Sequence, residues 1–272
     1  MKNLFCFFTA GCLLLLSCSE KKHIAKPGGK DLETIKVMSY NVHHCNPPAK
    51  PDVIDLNAIA AVINAAKPDF VGLQEIDVNT ARSGKALNQA KELAAKTNMN
   101  YYFAKAIDYQ GGAYGVAILS KYELSDVQVY PLSSDPATNA EPRVLVTASV
   151  VLPSGKVIRF ANTHLDATSN PTNRSMQMKE INAIALKEST PFIITGDFNA
   201  VPGSEVIMAM DEVFTRTCFT CGSTIPADKP VKCIDFIGFT TKKPLLVQAH
   251  EVISAPEQSD HLPVVAVLGF KP

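Results

Sequence analysis

The chain has 272 residues, 46% of them hydrophobic and 19% charged. This ordinary globular composition excludes a collagen, a coiled coil, a disordered tail and a multi-span membrane protein. Lys and Arg number 26 and so do Asp and Glu, giving zero formal net charge, whereas a protein that lives on non-specific nucleic-acid binding carries a basic excess.

In chain order, Met1-Lys2 is a short positive start, and residues 4–16 form a mostly apolar run too short to cross a bilayer as a helix. A charged start, a short apolar core and small residues before a break read as a secretory signal. The segment ends Leu15-Leu16-Ser17-Cys18, which resembles the lipobox of bacterial lipoproteins. That resemblance implies removal of residues 1–17, lipidation of Cys18 and export to the cell envelope on a lipid anchor. Residues 19–34 are polar, contain Pro27-Gly28-Gly29 and lack an apolar period, the signature of a flexible tether. One domain, 35–272, is expected to follow.

Within it, β-rich runs recur at Ile35–Asn41, Phe70–Gln74, Tyr101–Ala106, Val116–Ser120, Val127–Leu132, Val144–Leu152, Val157–Thr163, Phe192–Thr195, Ile234–Phe239, Leu246–Ile253 and Leu262–Gly269. Leu56, Ile59, Ala60 and Ile63 share one helical face after Asp55 as N-cap, and Pro68 stops that helix. Asn88–Lys96 and Pro171–Glu188, the latter capped by Asn170, are two further helices. Pro153-Ser154-Gly155-Lys156 is a tight reversal between two strands, hence an antiparallel hairpin. Many strands, few helices and a hairpin predict a mixed α/β sheet system with helices outside.

Several strand ends carry polar groups that a core would not want: Asn41, Gln74-Glu75, Asp197 and Asn199, and Asp260-His261 before a strand. In extended chain, residues i and i+2 face the same way. Asp197 and Asn199 should therefore share a cleft while Phe198 turns inward, with Gly196 allowing a tight bend. Taken singly, each has an ordinary structural reading as a cap, a turn residue or a surface pair.

Together, and in order, the stretches Val37-Met38-Ser39-Tyr40-Asn41, Pro68-Asp69-Phe70-Val71-Gly72-Leu73-Gln74-Glu75, Gly115-Val116-Ala117-Ile118-Leu119-Ser120, Asn162-Thr163-His164-Leu165-Asp166, Thr195-Gly196-Asp197-Phe198-Asn199, Ile234-Asp235-Phe236-Ile237 and Ser259-Asp260-His261-Leu262-Pro263-Val264 resemble the endonuclease/exonuclease/phosphatase superfamily, the deoxyribonuclease I-like fold. The resemblance implies a four-layer α/β sandwich, two mixed β-sheets packed face to face with helices outside, and a site at one edge. It also implies a metal-dependent phosphoric ester hydrolase. Phosphate esters resist water, so hydrolysis needs a cation, an activated water and donors for the charged transition state. By resemblance, Glu75, Asn41 and Asp260 hold the metal, and hard oxygen donors suit Mg²⁺, with Mn²⁺ or Ca²⁺ as alternatives. Asp197 orients or deprotonates the attacking water, and Asn199 holds that water or a phosphate oxygen. Asp235 fixes the His261 tautomer, and His164 donates to the phosphate. Which of Asp197 and His261 is the base stays open; the favoured assignment gives the water to Asp197 and the phosphate to His261.

Arg143 and Tyr114 are softer candidates for phosphate contacts, and Asp166 and Arg174 shape the rim or form a salt bridge leading into a helix. Nuclease-type relatives often place an acid two residues after the asparagine. Here that position is His43, followed by His44, which puts a second metal there in doubt. Val116 stands where many nucleases carry Asn, and Phe236 where inositol polyphosphate 5-phosphatases carry an arginine. With no Trp, the exposed aromatic hairpin of bacterial sphingomyelinases is not expected. A small phosphodiester or phosphomonoester is the favoured substrate, ahead of a phospholipid head group or nucleic acid; a non-catalytic binding lipoprotein is the contrasting reading. A monomer is expected.

Of the seven cysteines, Cys6 and Cys12 leave with the signal and Cys18 is the lipid site, so only Cys45, Cys218, Cys221 and Cys233 belong to the domain. Cys218-x-x-Cys221 with Cys233 mimics a zinc knuckle but lacks a fourth ligand. In an oxidising compartment one disulfide is expected instead, with Cys221–Cys233 the favoured pair, stapling the loop that leads to Asp235.

Overall fold

The computed structural model describes Met1 and residues 32–270. The signal-like segment, Cys18 and the tether through residue 31 lie outside the described residues. The remaining tether residues belong to the folded unit: the Glu33 carbonyl accepts a hydrogen bond from the Phe270 amide, and the Glu33 carboxylate pairs with Lys156. Strand β1 (Thr34–Asn41) follows at once.

In chain order come α1 (Leu56–Ala66), β2 (Phe70–Val78), α2 (Gln89–Thr97), β3 (Asn100–Tyr109), β4 (Gly112–Ser120), β5 (Ser125–Leu132), β6 (Arg143–Val151), β7 (Val157–His164), α3 (Thr172–Lys187), β8 (Phe192–Asp197), α4 (Glu205–Asp211), β9 (Phe214–Arg216), β10 (Asp235–Thr240), β11 (Leu245–Val252) and β12 (Val264–Phe270). Every β-rich run of the sequence is a strand. Asp55 caps α1 as expected, and Asn88, read as the first residue of the second helix, is instead its N-cap, each side chain accepting from the amide three residues on. Helix α3 starts at Thr172 rather than Pro171, and Asn170 Oδ1 accepts from the Thr172 amide. Strand β9 and helix α4 have no counterpart among the sequence-level elements, because a three-residue strand and a seven-residue helix show too little period to read.

The strands form two six-stranded sheets, ordered β11-β12-β1-β2-β4-β3 and β5-β6-β7-β8-β10-β9. Each holds one parallel pair, β1 with β2 and β7 with β8, among antiparallel neighbours. The period-2 alternation of each strand splits its apolar residues between two layers. Val37, Phe70, Phe160 and Ile193 face the interior between the sheets, where the Phe70 and Phe160 rings stack at 5.1 Å. Met38, Val71 and Leu119 meet Ile59, Ile63 and Leu93 of α1 and α2 on one outer face. Leu145, Ala161 and Ile194 meet Met178, Ile181 and Ile207 of α3 and α4 on the other. The result is the expected α/β/β/α sandwich.

One polar cluster interrupts the apolar interlayer. Asn162 on β7 donates to the carbonyls of Leu73 (2.8 Å) and Ala117 (2.9 Å) in the opposite sheet. Its Oδ1 accepts from Gln74 Nε2 (2.7 Å) and Thr195 Oγ1 (3.1 Å). The sheets close tightly here: a Cβ on Gly72 would lie 2.0 Å from Thr195 Oγ1 and 2.6 Å from Asn162 Oδ1. Asn162→Leu removes four buried hydrogen bonds, each worth about 0.5–1.5 kcal/mol net, although Thr195 Oγ1 keeps the Ala161 carbonyl and Gln74 Nε2 the Gly72 carbonyl. We expect a loss of ~3 kcal/mol or more in urea unfolding; a loss below ~0.5 kcal/mol would show that the bridge does not hold the sheets.

Candidate active site

In each sheet, parallel strands bring their C-terminal ends, and the antiparallel partners their N-terminal ends, to one edge of the sandwich. Asn41 closes β1, His164 closes β7 and Asp197 closes β8, while Asp235 opens β10 opposite Asp197 and Arg143 opens β6. The loop 259–261 before β12 completes the edge. Topology alone thus gathers polar side chains that lie up to 220 residues apart in sequence (Asn41 to His261).

Glu75 arrives by a different device. Between the pairs Leu73↔Ala117 and Ile76↔Gly115, both Gln74 and Glu75 oppose Val116 alone, a β-bulge. Glu75 takes a left-handed φ of 60° and stays half-buried while its neighbours are buried. Gly115 permits the crowding, since a Cβ there would lie 2.0 Å from the Ala104 carbonyl oxygen.

Asn41 is the hub. Its Nδ2 donates to Glu75 Oε1 and to Asp197 Oδ2, each at 3.0 Å, and its Oδ1 accepts from the His43 amide. Ser259 Oγ donates to the Asn41 carbonyl at 2.7 Å, tying the Asp260-His261 loop to β1. Asp197 Oδ2 also lies 3.5 Å from His164 Nε2 and 3.7 Å from His261 Nε2. Asp197 Oδ1 accepts from the Asn199 amide, with Asn199 at φ 49° and Phe198 buried. The inward turn of Phe198 matches expectation, but the bend is made by Asn199. Gly196 has another duty, because a Cβ there would lie 2.8 Å from the Thr163 carbonyl oxygen.

His261 Nδ1 donates to Asp235 Oδ2 at 2.9 Å, and the same oxygen accepts from Thr224 Oγ1 at 2.5 Å. This fixes the tautomer, so Nε2 faces Asp197. The cluster of Asp197, Asp235 and His261 has metal-like spacing, but those bonds already explain it. Burial works against charge on His261, yet Asp235, its hydrogen bond and Asp197 outweigh it and raise the imidazole above its ordinary range. Burial, then Asp235, also pushes the Asp197 carboxyl up. Thr224 is a site residue the sequence does not announce: a threonine in a loop eleven residues before Asp235 has no pattern to mark it.

On the other side, Asn199 Nδ2 donates to His164 Nε2 (3.0 Å) and to the Leu165 carbonyl. His164 Nε2 is therefore engaged, and its Nδ1 carries the proton, buried without a partner. Arg143 Nε is likewise a buried donor without a partner, although its Nη1 pairs with Glu141 at 3.0 Å. Tyr114, Arg143 and His164 line one small hollow. Burial, chiefly, holds the His164 imidazole well below its ordinary range and raises the Tyr114 phenol. Asp166 and Arg174 serve the scaffold: Arg174 Nη1 donates to the Asp166 and Thr168 carbonyls and lies 3.9 Å from the Asp166 carboxylate.

The disulfide differs from the expected pairing. Cys218 bonds to Cys221, while Cys233 and Cys45 are free and buried. The bond closes a turn inside the loop after β9, and Cys233 Sγ sits against the Asp235 carbonyl. Burial, then Asp235, pushes the Cys233 thiol up to about 12.

The fold is the four-layer sandwich of the deoxyribonuclease I-like type, with a cluster of carboxylates, amides and imidazoles at one edge. Residues 38–261 match the endonuclease/exonuclease/phosphatase family, and the chain belongs to that family, whose members are phosphoric ester hydrolases that generally use divalent metals. No curated protein matches the sequence. Among solved structures, an endonuclease/exonuclease/phosphatase from Beutenbergia cavernae superposes with a TM-score of 0.72 at 22% identity, over 87% of this chain and 72% of that one. The mannosyl-6-phosphatase of Bacteroides thetaiotaomicron gives 0.71 at 19%, over 87% and 100%. The human Nocturnin catalytic domain, solved with a bound sulfate anion, gives 0.69 at 20%, over 88% and 94%.

The Asp235 bond to His261 predicts an NMR titration. In metal-free protein the His261 imidazole should titrate above ~6.5, the usual histidine value, and Asp235→Asn should bring it down. An unchanged midpoint would show that the bond does not set the charge of the ring.

Proposed function

We propose that the protein is an exported, lipid-anchored, divalent-metal-dependent hydrolase of small phosphate esters. The single observation that carries the reading is the arrangement around Asp197 Oδ2: an asparagine amide at 3.0 Å and two imidazole nitrogens at 3.5 and 3.7 Å, all at one edge.

The donor chemistry fits a cation. Glu75 and Asp260 offer half-buried carboxylates, and Asn41, whose Nδ2 donates to Glu75 and whose Oδ1 accepts from the His43 amide, would have to turn its amide to offer oxygen, while no lysine or arginine bridges to Glu75 or Asp260 among the described residues. Hard oxygen donors of this kind suit Mg²⁺, or Mn²⁺ or Ca²⁺. A cation held there would polarise a phosphoryl oxygen and offset developing charge.

This chain's own residues do the remaining work. Asp197, its carboxyl raised by burial, takes a proton from an attacking water that Asn199 and Asn41 help to orient. His261, held by Asp235, presents Nε2–H to a phosphate oxygen. Arg143 Nε and the His164 Nδ1–H are buried donors without partners beside Tyr114, and a small side-chain shift would let them reach a phosphoryl oxygen at the edge. Zero net charge weighs against duplex tracking, and the likeness to a mannosyl-6-phosphatase supports a small ester.

Hydrolysis of bis-p-nitrophenyl phosphate and p-nitrophenyl phosphate should require added Mg²⁺, Mn²⁺ or Ca²⁺ and stop with chelator. His261→Ala and Asp235→Asn should each lower turnover on the order of 10²-fold or more, the second with little change in metal affinity. Metal-independent background rates on a broad ester panel would instead support a binding lipoprotein, and a large fall in metal affinity would make Asp235 a ligand. For the anchor, Cys18→Ser should move the protein from the membrane fraction to the soluble one; unchanged partitioning removes that part of the reading.

A further inference from the structure

We infer that His43, His44 and Glu75 form a nitrogen-rich site for a first-row transition cation, one that Mg²⁺ does not fill. The inference rests on the reading of Glu75 as a metal carboxylate and deepens it.

One ring nitrogen from each histidine and one Glu75 carboxylate oxygen all lie within 4.8 Å of one another. Ligands around one Zn²⁺, at bonds of about 2.0–2.2 Å, stand roughly 3–3.5 Å apart, so modest side-chain rotation closes the set. The two rings sit edge to face with centroids 4.5 Å apart.

The surroundings prepare these rings as ligands. His43 Nδ1 donates to the Asn46 carbonyl at 3.0 Å, leaving Nε2 with its lone pair, the usual outer-shell support of a metal-bound histidine. His44 Nδ1 is buried and has no partner, an open position in a structure where buried nitrogen is normally paired. The backbone that presents both rings is held in an unusual form. His43, His44 and Cys45 have φ of 46°, 42° and 58°, three consecutive left-handed residues without a glycine, at roughly 1–2 kcal/mol each. Gln89 Nε2 secures the turn through the His44 carbonyl at 2.6 Å. The site sits beside the oxygen donors, since the His43 amide is bonded to Asn41 Oδ1.

Donor type then decides the cation. Mg²⁺ prefers oxygen and sheds water reluctantly. Imidazole nitrogen favours Co²⁺, Ni²⁺ and Zn²⁺ along the first row, and two histidines with one glutamate is a known zinc set.

The test uses full-length protein stripped of metal and then held in excess Mg²⁺. Titrated Co²⁺ should give saturable visible absorption bands, and calorimetry should show one tight Zn²⁺ equivalent. His43→Asn and His44→Asn keep a side chain that tolerates left-handed φ; with an unchanged melting temperature, each should weaken Zn²⁺ binding by at least ~10-fold, the loss typical of a ligand or its support. Zn²⁺ affinity within twofold of wild type in both variants, or Co²⁺ bands abolished by Mg²⁺, would overturn the inference. The readout is separate from turnover. An active Mg²⁺ enzyme indifferent to His43 and His44 refutes only this site, and an inactive protein that binds Zn²⁺ through them refutes only the hydrolase reading.

Discussion

The amide of Asn162 is the constraint on which the rest of the molecule depends. A sandwich held by apolar contact alone can slide, because burial is proportional to area and indifferent to register. Asn162 reaches from β7 to two backbone carbonyls of the opposite sheet and accepts from Gln74 and Thr195. Those directional bonds, in a dry interlayer where an unmade bond is costly, permit few alignments of the two sheets. Gly72 is small because this approach leaves no room for a Cβ.

That alignment is what makes a site. Asn41 and Glu75 belong to one sheet, and Asp197, His164 and Asp235 to the other. The bond from Asn41 Nδ2 to Asp197 Oδ2 crosses the gap a few residues beyond the Asn162 bridge. Gln74 is bonded to Asn162 and its neighbour Glu75 bulges out to Asn41, so scaffold and reactive edge are consecutive residues of one strand. Positioning to a fraction of an ångström is worth much in catalysis, and here it descends directly from sheet register.

Much of this was legible in the sequence. Polar residues at the ends of apolar runs marked Asn41, Asp197, Asn199, Asp260 and His261, because a strand end is where a buried run can surface. The helices α1 and α2 declared themselves through period and cap. What stayed hidden depends on backbone irregularity or on distant partners. The left-handed residues at Glu75 and at His43–Cys45 are not glycines, and the glycine that makes room for the bulge, Gly115, sits on the neighbouring strand, so nothing in the adjacent sequence signals them. The Asn162 bridge pairs residues nearly ninety positions apart, and in sequence Asn162 is only one polar residue in a strand. Thr224 carries its hydroxyl to Asp235 across a loop whose course no period predicts. The pairing of Cys218 with Cys221 rather than Cys233 follows from the turn they share, which spacing alone did not choose.

The central claim is that this edge activates water against phosphorus, with Asp197 taking its proton. Hydrolysis of a phosphomonoester in oxygen-18 water, read by mass spectrometry of the released phosphate, tests it most directly. One solvent oxygen per phosphate formed in a single turnover, at a rate lost in Asp197→Asn, is the predicted result. Phosphate released without solvent oxygen in a single turnover, or labelling and rate unchanged in Asp197→Asn, would contradict it.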